Sequence, residues 1–336
     1  MGFGGDKQIA KYWFVGTGDG LSMIFHFDGT IMNANLQYLH QPADTVRHQP
    51  RVLDPATLRG GVETFQDIRI TPHSPVVGGV VEGFRFGRDG GVSEVVQRFL
   101  YKALLKYGFL SFAPGSLAPE DFERFAHLFG TPRFAGNPQA PRAQGETNSI
   151  DSASKKTRTN YIWHIDQAYR PRPQKFTALY SLKAPESGGA TLFSNATAAY
   201  RLLDPGFAAY LDTLTLLHDA DQMGLTSMSY PDAERLMQAR LEMPPLEVPL
   251  VRVHPETGEK QLFACELYAQ RVLGLPRIVS DSLLHIVFEY LRTPEVCTEY
   301  HWEDGATLIW DNRTVQHRGV FNYGGQHRLL HRATIE

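Results

Sequence analysis

Among the 13 histidines of the 336-residue sequence, two stand where they could act on a metal with a nearby carboxylate. His164-Ile-Asp166 follows Asn160-Tyr-Ile-Trp163, and His317 closes the segment Trp310-Asp-Asn-Arg-Thr-Val-Gln-His317. A His-x-Asp triplet carries little weight by itself in a chain this rich in histidine. In an extended strand, though, residues i and i+2 point to one face, so His164 and Asp166 can reach the same ion. His317, in a segment that also reads as a strand, adds a second imidazole. Two imidazoles and one carboxylate on one face of an octahedron leave three positions for a co-substrate and dioxygen, the arrangement of non-haem Fe(II) oxygenases.

These residues need a scaffold, and the pattern predicts one. Ser93 followed by Val95, Val96, Phe99, Leu100, Ala103, Leu104 and Tyr107, with Gly108 as a stop, predicts an amphipathic helix. Residues 108–112 read as a buried strand and 119–129 as a second helix. Residues 131–159 are polar and rich in Pro, Gly and Ser, which predicts a long functional loop. Beyond it, strands are predicted at 177–183, 190–194, 248–253, 261–265, 306–310, 315–319 and 327–334, with a hairpin turn at His254-Pro-Glu-Thr-Gly258 and a helix at 281–291. Many short strands with flanking helices predict a barrel or jelly roll, not a parallel α/β sheet. On the last strand Arg328 and Arg332 share a face, and His327 and His331 take the other. With Arg332 so near the end, truncation there is expected to cost activity before fold.

Composition narrows the classes. The chain is 42% hydrophobic and 21% charged, with 33 basic against 36 acidic residues and a net charge of -3. That is a globular protein with a large core and no field that would gather nucleic acid. No apolar run reaches the roughly 18 residues of a membrane span, and no secretory signal is visible, so a cytoplasmic protein without membrane partners is expected. Cys265 and Cys297 are expected to be reduced thiols. Near the start, residues 12–15 and 22–27 read as strands joined by the Gly-rich stretch 16–20. That stretch imitates a phosphate loop but lacks the helix such a loop needs.

His164-x-Asp166, Gly188-Gly-Ala-Thr191-Leu-Phe, Trp310-Asp-Asn-Arg, His317 and the pair Arg328 and Arg332 together resemble the taurine dioxygenase-like family (TauD/TfdA) of Fe(II)/2-oxoglutarate dioxygenases. The resemblance runs from about residue 70 to 334 and lies in the ordered set, not in any one motif. It implies a mixed, β-rich fold, a double-stranded β-helix (cupin-like jelly roll) with flanking helices. It also implies that Fe(II), 2-oxoglutarate and dioxygen are used to oxidise, most often by hydroxylation, an unactivated C–H bond, with release of succinate and CO2. By the same resemblance, His164, Asp166 and His317 are the metal ligands. Thr191 and Arg328 would hold the two ends of 2-oxoglutarate, with Asn160 near the iron-bound end and the substrate. A guanidinium fork at Arg328 suits a distal carboxylate better than a lysine would. Arg332 would contact an anionic substrate, and Tyr268 would wall its pocket.

The sequence also departs from the family. Where taurine-binding members carry a His and a Tyr after a Phe-Gly pair, this chain has Ala135 and Pro138 after Phe129-Gly130, so taurine is not expected as the substrate. Arg133 and Asn137 are candidate replacements for polar contacts. Residues 1–65 have no family counterpart and are expected to add strands to the core, cover the pocket or serve a subunit contact; residues 66–336 would form the dioxygenase domain. A homo-oligomer is left open. The competing reading is a metal-binding barrel without oxygenase activity, a Zn-dependent hydrolase or a ligand-binding protein, which would have no use for Thr191 with Arg328.

Overall fold

The computed structural model describes residues 11–17, 20–27, 30–35, 53, 58, 60–87, 90–133, 148–152, 160–220 and 233–336. The chain divides into two compact units, Met1–Arg51 and Val52–Glu336. The first holds an antiparallel meander of Lys11–Thr17, Gly20–Phe27 and Thr30–Asn35. A strand, not a helix, follows the Gly-rich stretch. The third strand was not predicted, although Asp28-Gly29 is a two-residue hairpin signal.

In the second unit, a nine-stranded sheet runs in the order Glu63–Phe65, Ile68–Pro72, Gly79–Glu82, Phe109–Phe112, Thr307–Asp311, Phe176–Lys183, Leu329–Ile335 and Pro132–Arg133, with Asn148–Asp151 also paired to Leu329–Ile335. Its one parallel pair, Gly79–Glu82 with Phe109–Phe112, encloses the helix Glu94–Tyr107. A parallel pair requires such a crossover. The Ser93 hydroxyl accepts from the Val96 N–H at the helix start, and Gly108, at φ 79°, ends it. A Cβ at Gly108 would sit 2.9 Å from Val315 Cγ1, so the turn into the strand needs glycine for space as well as for backbone conformation.

Facing this sheet is a smaller one of Cys297–Tyr300, Thr191–Asn195 and Val315–Gly319. Strand alternation sorts the side chains of the large sheet. Leu179, Leu308, Trp310 and Leu330 meet Phe193, Tyr300 and Val315 of the small sheet in one buried cluster. Phe176, Ala178, Tyr180, Ile309, Ala333 and Ile335 pack on the outer face with Leu100, Leu104 and Phe125 of the helices. The two facing sheets with helices outside are the predicted jelly roll. A third cluster joins the sheet of Leu246–Pro249, Thr215–His218 and Ala269–Val272 to the helix Arg277–Leu291. Among the described residues no helix is long and apolar enough to cross a membrane.

Several predicted elements differ. Residues 119–129 form a 3-10 turn, Pro119–Asp121, before the helix Phe122–His127. The strand expected at 248–253 splits at Leu250: Leu246–Pro249 and Val251–Val253 belong to different sheets, and Leu250 bonds to both sides, its N–H to the Leu214 carbonyl and its carbonyl to the Phe263 N–H. The His254–Gly258 turn does join Val251–Val253 to Lys260–Leu262. The expected loop at 131–159 contains two short strands paired with Leu329–Ile335. Leu329–Ile335 is thereby an inner strand with Leu330, Ala333 and Ile335 buried. Truncation there removes part of the core, contrary to the expectation that activity would go first.

Candidate active site

His164 is not part of a regular strand. It forms an isolated antiparallel bridge with His317, the two residues exchanging backbone hydrogen bonds of 3.0 and 2.9 Å. His317 lies on Val315–Gly319, and the segment 310–317 is a strand, a turn and a second strand in the other sheet. Asp166 opens a turn in which Gln167 takes φ 55°. Next to it the Ile165 N–H donates to Cys265 Sγ at 3.4 Å. Burial pushes that thiol up to about 12, so it stays protonated.

The imidazoles and the carboxylate converge. One potential ligand atom from each of His164, Asp166 and His317 lies within 4.8 Å of the others, and all three residues are buried. His164 Nε2 is 3.8 Å from Asp166 Oδ1, and His317 Nε2 is 4.0 Å from Oδ2. His164 Nδ1 lies 2.8 Å from the Ile162 carbonyl, which only accepts, so Nδ1 carries the proton and Nε2 the lone pair. Burial holds both imidazoles below their ordinary pKa, His317 well below. Burial alone would raise the Asp166 carboxyl; the Arg332 guanidinium, the two imidazoles and the Thr177 hydroxyl hold it well below the usual range. Two neutral nitrogen donors and one carboxylate, buried and within 4.8 Å of one another, fit Fe(II).

Around this set a cavity of about 60 Å³ is lined by Ile150, Asn160, His164, Asp166, Leu179, Thr191, Trp310, His317, Gly319, Arg328 and Arg332. Seven of the eight predicted site residues therefore meet. Thr191 Oγ1 accepts from the Trp302 indole N–H at 3.0 Å, which leaves the Thr191 hydroxyl proton for another acceptor. The Arg328 guanidinium is buried, 5.8 Å from the Trp302 ring, and its backbone N–H donates to Ser152 Oγ. The Asn160 carbonyl accepts from the Gly319 N–H. Arg332 Nη2 lies 2.8 Å from Asp166 Oδ1.

Tyr268 is not among the residues that line this cavity. Its ring meets that of Tyr169 edge-on at 4.9 Å. Burial first, then the charges of Cys265, Tyr169 and Asp166, push its hydroxyl well above the ordinary value. Arg133 pairs with Glu336 at 2.7 Å on the strand Pro132–Arg133, with no place on the cavity. Asn137, Ala135 and Pro138 lie outside the described residues.

Sequence reading missed Thr177, Asn312 and Trp302. Thr177 donates to Asp166 Oδ2 at 2.6 Å, Asn312 Nδ2 donates to Thr177 Oγ1 at 2.9 Å, and Trp310 Nε1 donates to Asn312 Oδ1 at 2.9 Å. Asn312 stood within a quoted motif, whereas Thr177 is one β-branched residue in an apolar strand and carries no signal of its own.

The family model for "Taurine catabolism dioxygenase TauD, TfdA family" matches residues 69–334. An alkylsulfatase of Acinetobacter baylyi is 30% identical over 275 residues, 80% of this chain and 85% of that protein. An alpha-ketoglutarate-dependent sulfate ester dioxygenase of Pseudomonas putida is 27% identical over 274 residues, 80% of this chain and 89% of that protein. A crystal structure of a taurine dioxygenase from Burkholderia xenovorans is similar with a TM-score of 0.65 at 26% identity, covering 80% of this chain and 90% of that one. On the match, and on the buried imidazole and carboxylate donors, the chain belongs to the taurine catabolism dioxygenase TauD, TfdA family and is an Fe(II)- and 2-oxoglutarate-dependent dioxygenase.

Proposed function

We propose that His164, Asp166 and His317 hold Fe(II), that Thr191, Arg328 and Asn160 receive 2-oxoglutarate, and that Arg332 and Tyr268 face a small organic anion, with sulfate esters and sulfonates foremost. The observation that carries this reading is the single cavity shared by the two imidazoles, the carboxylate, one hydroxyl and two guanidiniums. The relatives that act on sulfate esters point the same way.

Bound iron and dioxygen would supply the oxidising chemistry, coupled to decarboxylation of 2-oxoglutarate to succinate and CO2. The chain's part is to bind, orient and exclude water. The Thr191 hydroxyl, oriented by the bond it accepts from Trp302, would donate its proton to one carboxylate of the co-substrate. Arg328, buried beside the same indole, offers a planar fork to the other. Low-dielectric surroundings strengthen both contacts. Arg332, two residues beyond Leu330 on the inner face, lines the same cavity and is the cation an anionic substrate group would meet there, and Tyr268 offers a protonated hydroxyl.

The test has two stages. Anaerobic addition of Fe(II) and 2-oxoglutarate should produce a weak visible charge-transfer band. A screen of sulfate esters, sulfonates, carboxylates and phenoxy acids should then show oxygen-dependent succinate release with one class. Asp166→Ala should abolish both signals, and turnover retained in that variant would reject the ligand set.

A further inference from the structure

We propose that Thr177 and Asn312 are positioning residues for the metal centre. With Trp310 they fix the orientation of the Asp166 carboxylate by holding Oδ2, while Arg332 lies 2.8 Å from Oδ1. This rests on the reading that Asp166 binds iron, and it concerns residues to which that reading gives no role.

The direction of every proton in the chain of bonds is fixed by its two ends. An indole N–H only donates, so the Trp310 contact at 2.9 Å turns the Asn312 amide oxygen toward residue 310 and its NH2 toward Thr177. Thr177 Oγ1 accepts from that NH2 at 2.9 Å and must give its own proton elsewhere. An ionised carboxylate only accepts, and Asp166 Oδ2 takes that proton at 2.6 Å, a length typical of a charge-assisted bond. No other ordering satisfies all three contacts. Thr177, Asn312 and Trp310 are 0%, 1% and 2% exposed, so water does not compete.

The scaffold makes the arrangement stiff. Thr177 and Trp310 are direct partners on adjacent antiparallel strands of the large sheet. The same indole ring packs against His317 at 4.6 Å between centroids, so Trp310 steadies two ligands at once. His164, the third, is fixed by its backbone bridge to His317. With the carboxylate so held, Oδ1 stands 3.8 Å from His164 Nε2 and Oδ2 4.0 Å from His317 Nε2.

The experiment measures anaerobic Fe(II) binding and thermal melting for the full chain, Thr177→Val, Thr177→Ser and Asn312→Ala. Thr177→Val keeps the shape and removes the hydroxyl, and should weaken metal binding about 10–100-fold. Thr177→Ser restores the hydroxyl and should bind within about threefold of the parent, while Asn312→Ala should lose roughly tenfold. Parent-like binding by Thr177→Val overturns the inference; if that variant does not fold, parent-like binding by Asn312→Ala does so. If neither folds, the chain of bonds serves stability and the inference also falls. A parent protein that binds no Fe(II) would instead overturn the underlying assignment of the ligands.

Discussion

A carboxylate held at position 328 would meet a buried guanidinium beside an indole ring, where geometry counts for more than charge alone. Lysine keeps the charge but loses the two-pronged contact. Arg328→Lys should therefore raise the KM for 2-oxoglutarate about tenfold, and Arg328→Ala roughly 100-fold, since hydrogen bonds to charged groups contribute about 1.5–3 kcal/mol. Steady-state succinate formation at varied co-substrate checks this, and unchanged KM values would remove Arg328 from the co-substrate site. At this scale the sequence was informative where spacing restricted chemistry, as in His164-x-Asp166, and where a rare pair shared a strand face, as in Arg328 and Arg332. It was silent on Thr177 and Trp302, because their partners, Asp166 and Thr191, are reached only through folding. Arg332 on Asp166 Oδ1 was equally invisible, as it depends on the closeness of the last strand to the turn at residue 166.

The elements were legible where the signal was local. Ser93, the apolar spacing and Gly108 define the helix Glu94–Tyr107 almost to the residue. The helix Arg277–Leu291 was predicted only from 281 because its first turn exposes Ile278 and Val279, which breaks the apolar stripe. Pairing across the sheets is non-local and no pattern within one strand announces it. The turn after Thr307–Asp311 shows what holds such elements together. Arg313 donates from Nε and Nη2 to the two oxygens of Asp311, at 2.9 Å each, and His254 Nε2 donates to Oδ2 at 3.1 Å. Glu256 accepts from Arg313 and from the Tyr101 hydroxyl, tying the hairpin and the helix Glu94–Tyr107 to this turn. Burial would raise the Asp311 carboxyl, but His254 and Arg313 hold it below the usual range. Asp311→Asn should cost about 1–3 kcal/mol in urea unfolding at neutral pH, because the buried carboxylate that accepts from both His254 and Arg313 is replaced by an amide with one acceptor oxygen.

At the scale of the whole molecule, acid sensitivity has an identifiable source. His218 is fully buried, its Nδ1–H bonded to the Ala168 carbonyl, and burial lowers its pKa from 6.5 to about 4. Above about pH 6.5 it is neutral in both states and has no effect. As the pH falls from 6.5 to 4 the unfolded chain gains a proton that the folded chain refuses, so stability drops by roughly 3 kcal/mol and then levels off. His218→Gln should flatten that slope in denaturant melts taken across the window, and an unchanged slope would assign the loss to other groups. The two-sheet architecture has a second consequence. Asp166 is tied through Thr177 to the large sheet, while His317 belongs to the small one. An ion gripped by both is a rivet between layers. A chelator should lower the melting temperature, the loss amounting to about 2.7 kcal/mol if the ion had been at 100 times its Kd. It should also quicken amide exchange first along Val315–Gly319, at the seam, well before the outer helices loosen.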